Sequence, residues 1–329
     1  MAVPRRTWSL AIALLTLTAA ALAQTPAPAK PSPAPTPPQA APASAPAASQ
    51  PTTKPDLSPV IARNSRIQLD VPYVAGGHEQ QRLDLYVPAA AKAAPVLMFI
   101  HGGEWTKGDK YEVAYKPKFL NDNGIIFISV NYRLSGVAKH PAQVDDVAAA
   151  VRWARDHVAE FGGDPQKLIL MGHSAGCHIV TLTALDPRPL AKFNLKPADL
   201  KAVISWSGGA FDLVDKVKQG GMYADYIHLN FGDDERVWRD ASPMAHVGDS
   251  KPLPRFLFAS AEQDKPASRE ASGKMVSLIK AAGGNATAAL LVGKTHSTAN
   301  SEVGRPGDET GKIIVDFVRE ATGAPMKND

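Results

Sequence analysis

Cysteine and metal-binding motifs are nearly absent from this sequence. Cys177 is the only cysteine in 329 residues, so no disulfide can form within the chain. An HExxH motif, paired cysteines and a dispersed pattern of histidine and aspartate are missing as well. We therefore expect neither a metal ion nor an organic cofactor in the functional site. Cys177 is interpreted as a small buried packing residue.

The sequence also lacks an apolar run long enough to cross a bilayer. The apolar stretch at residues 10–22 is shorter than the ~20 residues that a spanning helix needs. It follows Arg5 and Arg6, and the small-residue pattern at 21–23 resembles a cleavage site. Residues 1–23 are therefore predicted to be a secretory signal peptide. We expect a periplasmic or extracellular protein with no stable membrane insertion after cleavage.

A charge excess is missing from the part of the chain that is expected to fold. Four of the 36 basic residues and one of the 32 acidic residues precede residue 60, which leaves 32 and 31. The folded part is thus almost neutral and carries no basic run, which argues against a nucleic-acid partner.

Proline is abundant in one segment only. Residues 24–59 hold 12 of the 28 prolines and otherwise mostly Ala, Ser, Thr and Gln. Such a segment buries too little apolar surface to offset its ordering entropy, so it is predicted to be a disordered linker. It could hold the domain away from a membrane or wall, or it could be an exported spacer without a binding role.

The remaining residues, 60–329, predict one α/β domain with a mostly parallel sheet. The first two strands, separated by Gly76 and Gly77, are typical of an antiparallel hairpin at a sheet edge. Apolar runs and turn residues predict strands at 67–73, 82–87, 95–100, 125–130, 168–171, 202–206, 255–260 and 288–292. Helical spacing and stop signals predict helices at 111–123, 141–161, 268–282 and 308–320, besides one that follows the 168–171 strand.

The most informative stretch places a serine at the turn between a strand and a helix. Gly172 and Gly176 flank Ser174 in a Gly-x-Ser-x-Gly pattern directly after the 168–171 strand. The two glycines leave room for a strained turn that raises the serine oxygen above the sheet. Because a serine hydroxyl is a weak nucleophile, this pattern matters only if a base, a carboxylate and an oxyanion pocket lie nearby.

A second motif supplies candidate oxyanion donors. The 95–100 strand leads directly into His101-Gly102-Gly103-Glu104-Trp105, where successive glycines can bring main-chain N–H groups close to a ligand. Glu104 would oppose a developing negative charge, so its side chain is expected to point away, toward Lys107 or Lys110.

The candidate acid and base each follow a later strand. Asp264 follows the 255–260 strand and His296 the 288–292 strand, and loops at the carboxyl ends of parallel strands share one edge of the sheet. Both are favoured over other candidates because each follows a predicted strand of the parallel sheet. For the base these are His101, His173, His178 and His246, and for the acid Glu262, Asp233 and Asp234.

With both motifs, residues 65–323 resemble the α/β-hydrolase superfamily, and within it the esterases with a His-Gly-Gly-x-Trp oxyanion motif. That group includes kynurenine formamidase-like and feruloyl-esterase-like members. The resemblance implies that Ser174 attacks an acyl carbonyl, His296 transfers the proton and Asp264 orients the imidazole. It also implies an oxyanion hole built from the N–H groups of Gly102, Gly103 and Ala175.

Aromatic residues are the candidates for the substrate pocket. Residues 207–250 lack clear periodicity and are interpreted either as a lid or pocket wall over the site or as a loosely packed surface loop. The expected pocket residues are Trp105, Trp206, Phe211, Tyr223 and Tyr226.

The sequence therefore predicts an exported serine hydrolase that cleaves a small-molecule carboxylic ester. Formamide or amide hydrolysis by the same triad is the nearest alternative, and a peptidase is a weaker one. A catalytically silent binding module with this fold is an alternative from another class, against which the complete set Ser174, Asp264 and His296 argues.

Overall fold

The computed structural model describes residues 66–324. The predicted signal peptide (1–23) and linker (24–59) lie outside the described residues. Within the described range, none of the helices combines the length and the apolar character that crossing a membrane requires.

An eight-stranded sheet forms the centre of the described domain, in the order β1-β2-β4-β3-β5-β6-β7-β8. The hairpin at the edge is confirmed, since β1 pairs antiparallel with β2. β2 also runs antiparallel to β4, and every pair from β4 to β8 is parallel. The strands are Arg66–Pro72 (β1), Arg82–Val87 (β2), Ala94–Ile100 (β3), Ile126–Val130 (β4), Gly163–His173 (β5), Ala202–Trp206 (β6), Arg255–Ala261 (β7) and Ala286–Leu291 (β8).

Ten α-helices accompany the sheet within residues 66–324. They are Lys116–Asp122 (α1), Ala142–His157 (α2), Ala175–Leu185 (α3), Pro187–Ala191 (α4), Leu213–Gln219 (α5), Met222–Phe231 (α6), Glu235–Asp240 (α7), Pro266–Ala281 (α8), His296–Ser301 (α9) and Thr310–Thr322 (α10). The end of the predicted 141–161 helix is a separate 3-10 turn, Val158–Phe161.

Two cores lie on opposite faces of the sheet. Along β3, Val96 and Met98 belong to one core, whereas Leu97 and Phe99 belong to the other. Because both faces are covered, β3 is buried throughout and reads as a continuous apolar run. The two cores together hold in place the strands whose carboxyl ends carry the candidate site.

The structure corrects one prediction from the sequence and excludes one of two interpretations that the sequence left open. The helix expected at 111–123 begins only at Lys116, because Ala114 has φ +48°, which an α-helix does not allow. Residues 207–250 are not a loose loop: they contain α5, α6 and α7, and Phe211 and Ile227 are fully buried. These helices are short and end at glycines such as Gly220 and Gly232, which hides their periodicity.

Candidate active site

Ser174 lies at a sharp turn between β5 and α3. Its backbone has φ +55°, a conformation that non-glycine residues rarely adopt outside tightly constrained sites. A Cβ on Gly172 would lie 2.2 Å from the carbonyl oxygen of Gly176, and a Cβ on Gly176 would lie 2.2 Å from that of Ile100. Both glycines are therefore required for the chain to make this turn.

The loop after β3, which carries the predicted oxyanion donors Gly102 and Gly103, packs directly against Ser174. A Cβ on Gly102 would lie 2.9 Å from the Cβ of Ser174, so only a glycine allows this approach. Gly103, Glu104 and Trp105 all have positive φ, which turns the loop over the site. Ala175 is the first residue of α3, where N–H groups have no partner within the helix and the helix dipole is positive. The structure thus places Gly102 against Ser174 and Ala175 next to it, and Gly103 follows Gly102 in the same loop.

Asp264 and His296 are in direct contact. The Nδ1–H of His296 donates to Oδ1 of Asp264 over 3.1 Å, while Oδ2 accepts bonds from the Ala261 N–H at 2.8 Å and from the Ser207 hydroxyl at 2.7 Å. Burial opposes the ionisation of Asp264, but these hydrogen bonds outweigh it and lower the pKa of the carboxyl group. Asp264 is therefore a carboxylate that holds the His296 ring by its Nδ1 atom.

The segment that carries His296 is held by buried groups. The Nε2–H of His173, next to Ser174 in the chain, donates to the His296 carbonyl over 3.0 Å, and the two rings lie 4.7 Å apart. Burial lowers the pKa of His173 to about 3, so its ring is neutral. Farther along α9, the Trp206 indole N–H and the Lys116 ammonium each donate over 2.7 Å, to the carbonyls of Ala299 and Asn300.

The alternative histidines have other partners. His101 stacks on Tyr132 with ring centroids 4.5 Å apart. His178 accepts a hydrogen bond from the Trp105 indole at 3.2 Å and donates to the Ala241 carbonyl at 2.7 Å. His246 bonds to Asp249 and to the Asp240 carbonyl.

The alternative acids are also engaged elsewhere. Glu262 accepts the Gly293 N–H at 2.8 Å. Asp233 contacts His228 at 2.6 Å, and Asp234 pairs with Arg236.

A narrow cleft opens beside Ser174. It has a volume of about 10 Å³ and is lined by Glu104, Trp105, Ser174, Ala175, Gly209, Ala210 and Tyr223. A cavity of this size holds about one water-sized group. Two of the five predicted pocket residues, Trp105 and Tyr223, line this cleft.

Three predicted pocket residues lie elsewhere. Trp206 is fully buried in the core that contains Phe99, because its position in β6 turns it away from the cleft. Phe211 is fully buried in the other core, edge-on to Phe258 at 5.4 Å. Tyr226 is half-buried against that core and is not among the residues that line the cleft.

Glu104 only partly follows the expectation. Its carboxylate pairs with Lys107 at 2.9 Å, as expected, but the residue still lines the cleft. Lys110 is not its partner: it is buried and lies 2.8 Å from Asp70 and 3.0 Å from Asp84.

Comparison with known proteins agrees with this architecture. A family model described as BD-FAE matches residues 83–278, which is more than half of the chain. The chain belongs to the BD-FAE family.

Several curated proteins resemble this BD-FAE member. The probable isoprenylcysteine alpha-carbonyl methylesterase ICMEL2 of Arabidopsis thaliana is 27% identical over 81% of this chain and 66% of its own length. Esterase LipQ of Mycobacterium tuberculosis is 31% identical over 59% of this chain and 48% of its own length. The chain thus spans about half to two thirds of the length of the curated relatives it matches.

A solved structure supports the fold. Esterase B of Lactobacillus rhamnosis matches with a TM-score of 0.65 at 20% identity, covering 80% of this chain and 88% of that one. Together with the sheet order, this confirms the predicted α/β-hydrolase fold.

Sequence reasoning missed one polar residue at the centre of this BD-FAE site. The Ser207 hydroxyl contacts both Asp264 and His296. One feature of the sequence could have indicated Ser207: it directly follows β6, and the other predicted site residues also follow strands of the sheet. Among residues 66–324, no group of three or more His, Cys, Asp or Glu side chains is arranged to hold a metal ion.

Proposed function

We propose that the protein is a serine carboxylesterase that cleaves a small-molecule carboxylic ester through an acyl-enzyme on Ser174. The observation that carries the proposal is the bond of His296 Nδ1 to the Asp264 carboxylate, beside a serine at a glycine-framed turn. The names of the curated relatives, a methylesterase and an esterase, support the same reaction class.

The site residues supply each step of the proposed reaction. With Nδ1–H bound to Asp264, the His296 ring has Nε2 free as a base that accepts the Ser174 proton as Oγ attacks the ester carbon. The N–H groups of Gly102, Gly103 and Ala175 stabilise the negative oxygen that forms. His296 then protonates the leaving alcohol, and a water activated by the same ring hydrolyses the acyl-enzyme.

Asp264 makes this cycle possible because it stays ionised. Its pKa is lowered by the hydrogen bonds from His296, Ser207 and Ala261, which overcome the effect of burial. A carboxylate stabilises the imidazolium that appears when His296 takes the proton, whereas a neutral acid would not.

The cleft favours a small acyl group. Its volume of about 10 Å³ leaves room for about one water-sized group beside Ser174, between Trp105 and Tyr223. We therefore propose a short-chain acyl ester, with the larger alcohol on the side of His296, whose side chain is 43% exposed.

An activity screen tests the proposal. The full chain is given p-nitrophenyl esters of increasing acyl length, methyl ferulate and N-formylkynurenine, with Ser174→Ala as the blank. We expect the acetate ester to be turned over fastest. The Ser205→Ala variant removes a buried β6 hydroxyl and should keep wild-type activity. N-formylkynurenine turnover above that of every ester would instead make the protein an amide hydrolase, and no turnover at all would support a silent module.

We also propose that the protein is exported, on the basis of the pattern at residues 1–23. Expression of the full chain in a bacterial host, followed by N-terminal sequencing, should give a mature protein that begins at Gln24. Recovery of the uncleaved chain in the cytosolic fraction would contradict export.

A further inference from the structure

Ser207 occupies the junction of the three proposed catalytic residues. It follows β6 directly and is fully buried. Its hydroxyl oxygen lies 2.7 Å from Oδ2 of Asp264 and 3.0 Å from Nδ1 of His296. Its carbonyl oxygen accepts the Ser174 N–H over 3.3 Å. One residue therefore contacts the nucleophile, the base and the acid.

The backbone around Ser207 is fixed from both sides. Its N–H donates to the Ala259 carbonyl in β7 over 2.7 Å. The next residue, Gly208, packs so closely on α3 that a Cβ there would lie 2.5 Å from the Cβ of Cys177. Ser207 itself has φ +56°, the left-handed region that favours glycine. A residue with a side chain thus stands where glycine would be less strained, and this strain points to a role for the hydroxyl.

The proton arrangement follows from the acceptors. Because the Asp264 carboxylate can only accept, the Ser207 hydroxyl donates to Oδ2. A lone pair on the Ser207 oxygen then faces Nδ1 of His296, whose proton is shared between Asp264 Oδ1 and this oxygen. The hydroxyl thereby fixes both the rotation of the carboxylate and the tilt of the imidazole ring.

We propose that Ser207 is a positioning residue for the esterase reaction, holding Asp264 and His296 in one orientation toward Ser174. The inference rests on the proposed function of this site. Ser207 does not line the cleft, so it acts on the reacting groups and not on substrate binding.

The test compares steady-state kinetics of the full-length protein with p-nitrophenyl acetate. Ser207→Ala removes the hydroxyl and keeps the backbone strain, whereas Ser207→Gly removes the hydroxyl and relieves the strain. We expect both variants to lower kcat about 10- to 100-fold, the effect of one hydrogen bond to a charged group, with KM unchanged. Ser205→Ala removes a buried hydroxyl two positions earlier, which lies by Cys177, and should keep the wild-type kcat.

Each outcome is decisive. An equal loss of kcat in the alanine and glycine variants, despite their different melting temperatures, supports the proposal. A wild-type kcat in either folded variant overturns it, as does a loss that appears in KM. If neither variant folds, the hydroxyl is structural and the proposal is wrong. Absence of hydrolysis by the wild type would instead refute the proposed function itself.

Discussion

Among residues 66–324, no carboxylate lies in hydrogen-bond contact with the buried Lys116, and removal of this lysine should change how stability depends on pH. The side chain is fully buried in α1, with its ammonium bonded to the Asn300 carbonyl at 2.7 Å and placed 4.8 Å from the centre of the Phe99 ring. Burial lowers the pKa of Lys116 from 10.5 to about 7, although Glu112 raises it in part. The folded protein therefore releases a proton that the unfolded chain keeps.

The magnitude follows from linkage. Above pH 7 the unfolded state binds more protons at this lysine than the folded state does, so the free energy of unfolding rises with pH. Over the window from pH 7 to 10.5 the gain is about 4 kcal/mol, and from pH 7 to 9 it is about 2 kcal/mol. Lys116→Met loses this dependence. It should therefore be about 2 kcal/mol less stable, relative to wild type, at pH 9 than at pH 7.

Urea unfolding of wild type and Lys116→Met at pH 7 and pH 9 measures this difference. Contributions that do not depend on pH, such as the altered packing of the buried side chain, cancel between the two conditions. Lys118→Met, two residues along the same helix, removes an exposed lysine that pairs with Asp122 and serves as the matched control. The same stability difference for Lys116→Met at both pH values would show that Lys116 titrates as an exposed lysine does, and would refute the reasoning.

Two further substitutions probe the frame of the site. Gly176→Ala places a Cβ 2.2 Å from the Ile100 carbonyl oxygen and should cost about 3 kcal/mol or more in thermal unfolding. Gly273→Ala, in the open middle of α8, should instead stabilise the protein by about 1 kcal/mol, and equal effects of the two would contradict the close approach. Trp105→Phe leaves Nδ1 of buried His178 without its donor and should cost about 1–3 kcal/mol in urea unfolding. Trp153→Phe, in a partly buried position of α2, is the control. If it lowers the free energy of unfolding as much as Trp105→Phe does, the hydrogen bond of the Trp105 indole N–H is not the cause of the loss.

The central strands could be predicted from sequence because they are buried on both faces. Apolar runs such as residues 95–100 have few other interpretations, and β6 was predicted with its observed bounds. The same burial explains the error at Trp206. When both faces of a strand are apolar, polar and apolar residues do not alternate along it. The sequence then does not show which face meets the substrate. The side of Trp206 became known only with its packing in the core around Phe99.

The site could be predicted where chemistry and position coincide. Ser174, Asp264 and His296 each follow a strand of the parallel part of the sheet, and the structure places Asp264 and His296 in contact. Their catalytic roles stay predictions that activity measurements must test.

Residues that support the site are harder to find from sequence. Ser207 has no charge at neutral pH, and Lys116 in an exposed-looking helix pattern would normally be taken as solvated. α9 is too short for a periodic apolar signal: its six residues run from His296 to Ser301. The contribution of Ser207, Lys116 and α9 to the site becomes visible only from their contacts in the folded structure.

The central claim is that Ser174 is a nucleophile activated by His296. Intact-mass analysis and peptide mapping after exposure to a fluorophosphonate probe test it most directly. One adduct is expected, on Ser174, that is absent in Ser174→Ala and forms far more slowly in His296→Gln. A folded wild-type protein that gains no adduct, or gains it on another residue, would show that Ser174 is not the activated nucleophile.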